Sequence, residues 1–141
     1  MIVLDTNILV AALWSRKGAS FKLLIAALRQ EIDVAVSVAL ALEYEDVLKR
    51  ETMLQRSWAT AVEVDEILDA LFHVAKRTAP ISYRQRPMLR DADDDMVLEC
   101  AIQAGASAIV TMNVRDFATV TKGFGISIIQ PGPFLSNHLR S

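Results

Sequence analysis

An α/β domain, with a central, mostly parallel sheet layered between helices on both faces, is the fold class this sequence predicts. Short apolar runs alternate with stretches whose apolar residues recur every three or four positions, the βαβα order that builds parallel sheets. With 141 residues, 52% of them hydrophobic and 23% charged, the chain has enough apolar side chain for one core, so residues 1–141 read as a single domain.

Ile2-Val3-Leu4 is the first strand, and Asp5-Thr6-Asn7 is the polar turn that ends it. Ile8, Leu9, Ala12 and Leu13 then keep helical spacing. Gly18 and Ser20 reset the chain, and Phe21, Leu24, Ile25 and Leu28 mark a helix from Ser20 to Gln30. Ile32 to Val36 reads as the second strand, Ser37 as an N-cap, and Val38 to Arg50 as the helix that Ser37 starts. Val64, Ile67, Leu68, Leu71, Phe72 and Ala75 mark another amphipathic helix, after which Pro80 and Pro87 bracket an irregular region. A helix apolar on most sides runs from Asp94 to Ala104 and stops at Gly105, a residue suited to the left-handed position past a helix end. Ala108 to Thr111 is the next strand, Val114 to Val120 a short helix, and Ile126 to Ile129 the last strand before Pro131-Gly132-Pro133.

Composition narrows the function. Fifteen Lys and Arg face seventeen Asp and Glu, a net charge of −2, so a nucleic-acid partner must meet a local basic patch. One cysteine, Cys100, and two histidines, His73 and His138, exclude a disulfide framework and a Cys/His zinc cluster, and a reducing cytoplasm is the expected compartment. Mean hydropathy is +0.30, yet the longest uncharged apolar stretch, Val34 to Leu42, is far short of the roughly 20 residues that span a bilayer. No signal peptide is read at the start of the chain. There is no Walker-type phosphate loop, and Gly123-Phe124-Gly125 lacks the third glycine of a dinucleotide fingerprint. Cys100, inside the apolar helix, reads as a buried inert thiol. The high apolar fraction, with Trp14 and Trp58 near helix ends, points to a protein partner or a homodimer, with core burial of both indoles as the competing reading.

Four acids follow the strand order. Asp5 directly follows the first strand, Glu43 lies one turn into the helix after the second, Asp94 starts the apolar helix, and Asp116 comes a few residues after the strand ending at Thr111. In a parallel sheet they converge at one edge, where ligands collect. Each has a simpler role available: Asp5 in an Asx-turn, Glu43 as a solvated helix residue, the acids at 91–95 and Asp116 as caps. Asp91, Asp93, Asp94 and Asp95 are more than a cap needs. Close carboxylates repel by about 4 kcal/mol per pair at an effective dielectric of 20, and Mg²⁺ or Mn²⁺ is the hard cation that neutralises such a set.

These motifs resemble the PIN domain, a metal-dependent ribonuclease fold, and in particular the VapC-like toxins of bacterial and archaeal toxin–antitoxin pairs. Val3-Leu4-Asp5-Thr6-Asn7-Ile8-Leu9-Val10 resembles the family's opening strand and first acid. Ser37 through Glu43-Tyr44 is similar to its second acidic motif, Arg90 through Met96 to its third, and Ile109-Val110-Thr111 through Arg115-Asp116-Phe117 to its fourth, so that the likeness runs from Met1 to about Pro131.

The resemblance implies catalytic roles for Asp5, Glu43, Asp94 and Asp116, with Asp5, Asp94 and Asp116 on the metal and Asp91, Asp93 and Asp95 as alternatives to Asp94. Thr6, Asn7 and Thr111 match the family's flanking polar positions, and Asn113 stands where many relatives carry an acid. It further implies hydrolysis of single-stranded or loop RNA with Mg²⁺ or Mn²⁺, an antitoxin partner and a homodimer. Arg16, Lys17, Arg84, Arg86, Arg90 and Arg115 lie on segments expected to border the acidic edge and contact phosphates. Two other functions remain open: a catalytically weak PIN-like module that binds protein or RNA, and an RNA-maturation nuclease without an antitoxin.

Overall fold

The computed structural model describes residues 1–78, 92–117 and 123–140, with the backbone alone at 92–95 and 139–140. Strands β1 (Ile2–Leu4), β2 (Ala35–Val36), β3 (Lys76–Arg77), β4 (Ala108–Val110) and β5 (Ser127–Ile129) pair only in parallel. β1, β4 and β5 form one ladder and β2 with β3 another. A bridge from Ile2 to Val34 and a 2.9 Å hydrogen bond from Ile2 N–H to the Asp33 carbonyl join the two ladders. The strand order is therefore β3-β2-β1-β4-β5. β1 and β4 are buried along their whole length, as apolar runs covered on both faces should be.

Around the sheet lie α1 (Thr6–Trp14), α2 (Ala19–Leu28), α3 (Val38–Leu48), α4 (Glu51–Leu54), α5 (Ala61–Val74), α6 (Ala92–Ala104), α7 (Val114–Phe117) and α8 (Pro131–Arg140). Ser37 caps α3 as expected, its hydroxyl accepting from Leu40 N–H at 3.1 Å. Thr60 and Glu63 close a reciprocal capping box on α5. Gly105 stands at φ +64° past α6, where a side chain would be strained, and Gln30 takes the same left-handed position past α2 at φ 60°. α6 packs on β1, β2 and β4 and buries Val97, Leu98, Cys100 and Ala101. It is the buried central helix the apolar pattern predicts.

Several elements differ from the sequence reading. The second strand shrinks to Ala35–Val36 because Val34 pairs only as a single bridge to Ile2, with the Asp33 carbonyl accepting from Ile2 N–H, and Ile32 lies before it. β3 escapes a pattern search, since Lys76 and Arg77 are both exposed and pair through backbone alone. Pro131-Gly132-Pro133 opens α8 instead of merely ending β5; a first turn has no need of the missing proline N–H groups. Residues 79–91, with the Pro80–Pro87 region, and 118–122, with the expected extension of the short helix to Val120, lie outside the described residues.

Candidate active site

The registers Leu4 to Val110 and Val110 to Ile129 bring three strands to an end side by side. Asp5 N–H donates to the Val110 carbonyl at 3.0 Å, so Asp5 and Thr111 are the first residues beyond the paired ends. Asp5 occupies the N-cap position of α1, yet its side chain makes no capping hydrogen bond. Thr111 Oγ1 donates to Asp5 Oδ2 at 2.7 Å instead. Asp5 is 7% exposed and Thr111 is fully buried. The threonine hydroxyl also accepts from Asn113 N–H at 3.0 Å, and Met112 N–H donates to Asn7 Oδ1 at 3.3 Å. Asn7 and Thr111 thus hold the loop after β4 against the start of α1, and the hydroxyl between two partners fixes the Asp5 carboxylate.

Glu43, 9% exposed, lies on α3 beside Tyr44, whose buried hydroxyl donates to the carbonyl of Leu4. That bond pins α3 to the end of β1, one residue before Asp5. Burial, with lesser contributions from Cys100 and Asp5, holds the Tyr44 phenol well above its ordinary range, so it remains a donor. Cys100 is fully buried, and burial pushes its thiol up to about 11, only partly offset by Thr78 and Ser37. The expected inert thiol is what the structure holds, and no soft thiolate competes with the carboxylates.

Ser37 and Thr78 follow β2 and β3, so their nearness to Cys100 sets the level of α6 against the carboxyl edge of the sheet. Asp94 lies six residues earlier on that helix, about 9 Å of axial rise toward and past this edge. The side chains of Asp93, Asp94 and Asp95, and Asp91 as a whole, lie outside the described residues. Among the described residues no group of three His, Cys, Asp or Glu forms a metal-holding set. Asp5 and Glu43 are buried carboxylates, Asp5 with its oxygen oriented by Thr111, and hard-oxygen donors of this kind suit a hard divalent cation.

The model of the PIN domain family matches residues 1–115. The chain belongs to the PIN domain family. Members of that family are generally nucleases that use divalent metal ions. No curated relative matches the chain. The family match stops at Arg115, short of the Pro131 to which the motif likeness runs, and leaves Asp116 just beyond it.

Within this PIN domain the other expected residues scatter. Thr6 and Asn7 are half-buried in the first turn of α1, and Asn113, Arg115 and Asp116 stand exposed on the loop and short helix after β4. Arg16 and Lys17 do not border the acidic edge. α1 carries the chain about 12 Å away between Thr6 and Trp14, and both basic residues lie past its far end. Arg84, Arg86 and Arg90 lie outside the described residues. Trp14 and Trp58 are half-buried and engaged within the chain, Trp58 Nε1 donating to the Ala12 carbonyl at 2.9 Å. Tyr44, whose place in the second acidic motif carries no role of its own, is the residue that positions α3 against β1. Its one signal in the sequence is a tyrosine directly after an acid on an amphipathic helix.

Proposed function

We propose that this PIN domain is a ribonuclease that hydrolyses phosphodiester bonds of single-stranded or loop RNA with Mg²⁺ or Mn²⁺, and acts as the toxin of a type II toxin–antitoxin pair. The observation that carries the reading is the Asp5 carboxylate, which forgoes capping α1 and is oriented instead by the buried Thr111 hydroxyl. Asp5 and one of the acids at the start of α6, Asp94 first, hold the cation, while Glu43 and Asp116 complete the anionic edge or orient water. A bound divalent ion supplies Lewis-acid stabilisation of phosphate charge and a water of lowered pKa. The chain's own residues set the geometry: Thr111 and Asn7 lock the loop after β4, and Tyr44 holds α3 in place.

A cytoplasmic, single-domain chain with protein partners accompanies this proposal. An apolar groove of about 170 Å³ between α3, α5 and the ends of β2 and β3 supports a partner, since Val38 is 68% and Leu42 61% exposed along it. Among the described residues no helix is long and apolar enough to cross a membrane. The weak-binding alternative draws on Asn113, an exposed amide where an acid is usual in the family. RNA cleavage by purified protein, with Mg²⁺ or Mn²⁺ and again in EDTA, tests the reading. Metal-dependent cleavage is expected; undiminished cleavage in EDTA, or RNA binding without cleavage under any divalent ion, overturns it. A small antitoxin encoded beside this gene, and binding the chain on co-expression, is the expected sign of the toxin role.

A further inference from the structure

At the far end of α1 the chain builds a second polar surface. The Arg16 guanidinium lies over the Trp58 ring at 4.4 Å and that of Arg56 over Trp14 at 3.8 Å. The two stacks are neighbours, because Trp58 N–H and Nε1 donate to Leu13 and Ala12, the residues just before Trp14. Phe21 meets Trp58 edge-on at 5.8 Å and supports it from α2. Arg16, Lys17 and Arg56 are all exposed. Among the described residues the ion pairs use Lys49 and Arg50, not these three cations. The nearby acid that senses Arg16, Glu63, is already bonded to Thr60 in the capping box. In a chain of net charge −2, three exposed cations thus gather here beside Glu63, the one acid shown among the described residues to feel Arg16.

We propose that this Arg–Trp surface binds the phosphodiester backbone of single-stranded RNA, as a second contact for the substrate of the site at the other end of α1. The proposal rests on the nuclease reading above for its substrate. Each guanidinium is held over an indole yet stays exposed, so its N–H groups are free to meet phosphate oxygens. The outer guanidinium face is a platform for an unpaired base. Planes interleaved with positive charge suit a single strand better than an acidic peptide, which has charge but no bases to stack. Arg16 and Lys17 thus act as RNA contacts from a place remote from the carboxylates, joined by Arg56, which sits on a segment without any chemical motif.

Binding of a long fluorescent single-stranded oligoribonucleotide to the full chain, by anisotropy in EDTA across a salt series, tests this. For single strands each lost phosphate contact lowers the salt slope by about 0.7. Arg16→Gln with Arg56→Gln is therefore expected to lower it by about 1.4 and to weaken binding at low salt by about tenfold. Arg16→Lys with Arg56→Lys should keep the slope but lose part of the affinity, since charge stays and the stacked plane goes. Lys17→Gln, a fully surface change, should lower the slope by about 0.7 and keeps the test readable if the arginine pair proves needed for folding. Unchanged slope and affinity in Lys17→Gln and the arginine variants overturn the proposal. Displacement of the RNA by polyglutamate at equal charge overturns it too, by making the surface a general acid-binding one. Cleavage by the unaltered chain is read separately: if no divalent ion supports it, the nuclease reading fails while the slope data still judge the surface.

Discussion

The two ends of α1 hold polar groups in opposite ways. At its start Asp5 is buried and takes its orienting hydrogen bond from Thr111, 106 residues away in the chain. At its finish Arg16 and Arg56 stand exposed, each guanidinium lying over an indole. A carboxylate taken out of water needs partners with fixed positions, and only backbone that is itself fixed can supply them. The parallel pairing of β1 with β4 does so by ending both strands at the same level. An exposed guanidinium keeps most of its hydration and needs only a flat neighbour within reach of a long side chain. Chemistry that demands exact placement sits on strand ends, and attraction that tolerates movement sits on a loop.

The contrast is broken most sharply at Asp5. Asp5→Asn keeps the shape and an acceptor for Thr111 but removes the charge, and RNA cleavage in Mg²⁺ or Mn²⁺ should fall at least about a hundredfold. The melting temperature should hold or rise, because a buried charge is traded for a neutral amide. Paired cleavage assays and thermal melts check both halves. Cleavage that survives in the folded variant removes Asp5 from the chemistry.

Thr111 comes next. Thr111→Val has nearly the same volume but leaves Asp5 Oδ2 and Asn113 N–H without their shared hydroxyl. Losses of about 10- to 100-fold in metal affinity or turnover are expected for such a supporting group, together with about 1–3 kcal/mol of stability. Thr111→Ser should restore most of both. Calorimetric titration with Mn²⁺ and denaturant melts give the comparison, and equal behaviour of the valine and serine variants shows that the hydroxyl does not position Asp5.

How much of this was legible in the sequence follows the same division. Asp5 beside Thr111 could be read, because each acid or hydroxyl directly follows an apolar run and parallel pairing aligns such ends. Asp5 forgoing its cap could not, since an N-cap aspartate and a ligand aspartate have the same local pattern. The Arg56–Trp14 and Arg16–Trp58 stacks were illegible for another reason: their partners are 42 residues apart, on surface segments without periodicity. Trp14 and Trp58 accordingly suggested a subunit interface on sequence grounds, whereas arginines of the same chain cover them. β3 hid because its two side chains are charged and exposed, and α8 because two prolines and a glycine look like a stop.

Between the two ends, Tyr44 ties α3 to the end of β1. Tyr44→Phe keeps the ring, stacked on Phe72 at 6.4 Å, but removes the buried bond to the Leu4 carbonyl. It should cost about 1–2 kcal/mol. Because burial raises the Tyr44 pKa, the native state keeps its proton when the unfolded chain gives it up. Stability from this group is complete below the ordinary value of 10.0 and declines as pH rises beyond it. Cys100, raised from 9.0 to about 11, adds a decline in that window. Urea melts at rising pH should therefore show a shallower alkaline loss in Tyr44→Phe, and shallower still with Cys100→Ala added. An unchanged alkaline slope in the double variant removes both groups as its cause.

The smallest effects separate Asn113 from Asp116, and they turn on which atoms do the work. Asn113 reaches the site through its backbone N–H on Thr111 Oγ1 and its carbonyl on Asp116 N–H, at 3.0 and 3.1 Å. Both survive replacement of the side chain. Asn113→Ala should therefore lose only the capping role expected of its amide at the start of α7, about 1 kcal/mol. Asp116 can act only through its carboxylate, which stands exposed in the first turn of that helix. Asp116→Ala should accordingly weaken Mn²⁺ binding and turnover several-fold while leaving stability nearly unchanged, because carboxylates are stronger ligands than amides for hard cations. Titration and cleavage rates of both variants at matched folding decide the point: greater damage from Asn113→Ala moves the fourth ligand position from Asp116 to Asn113.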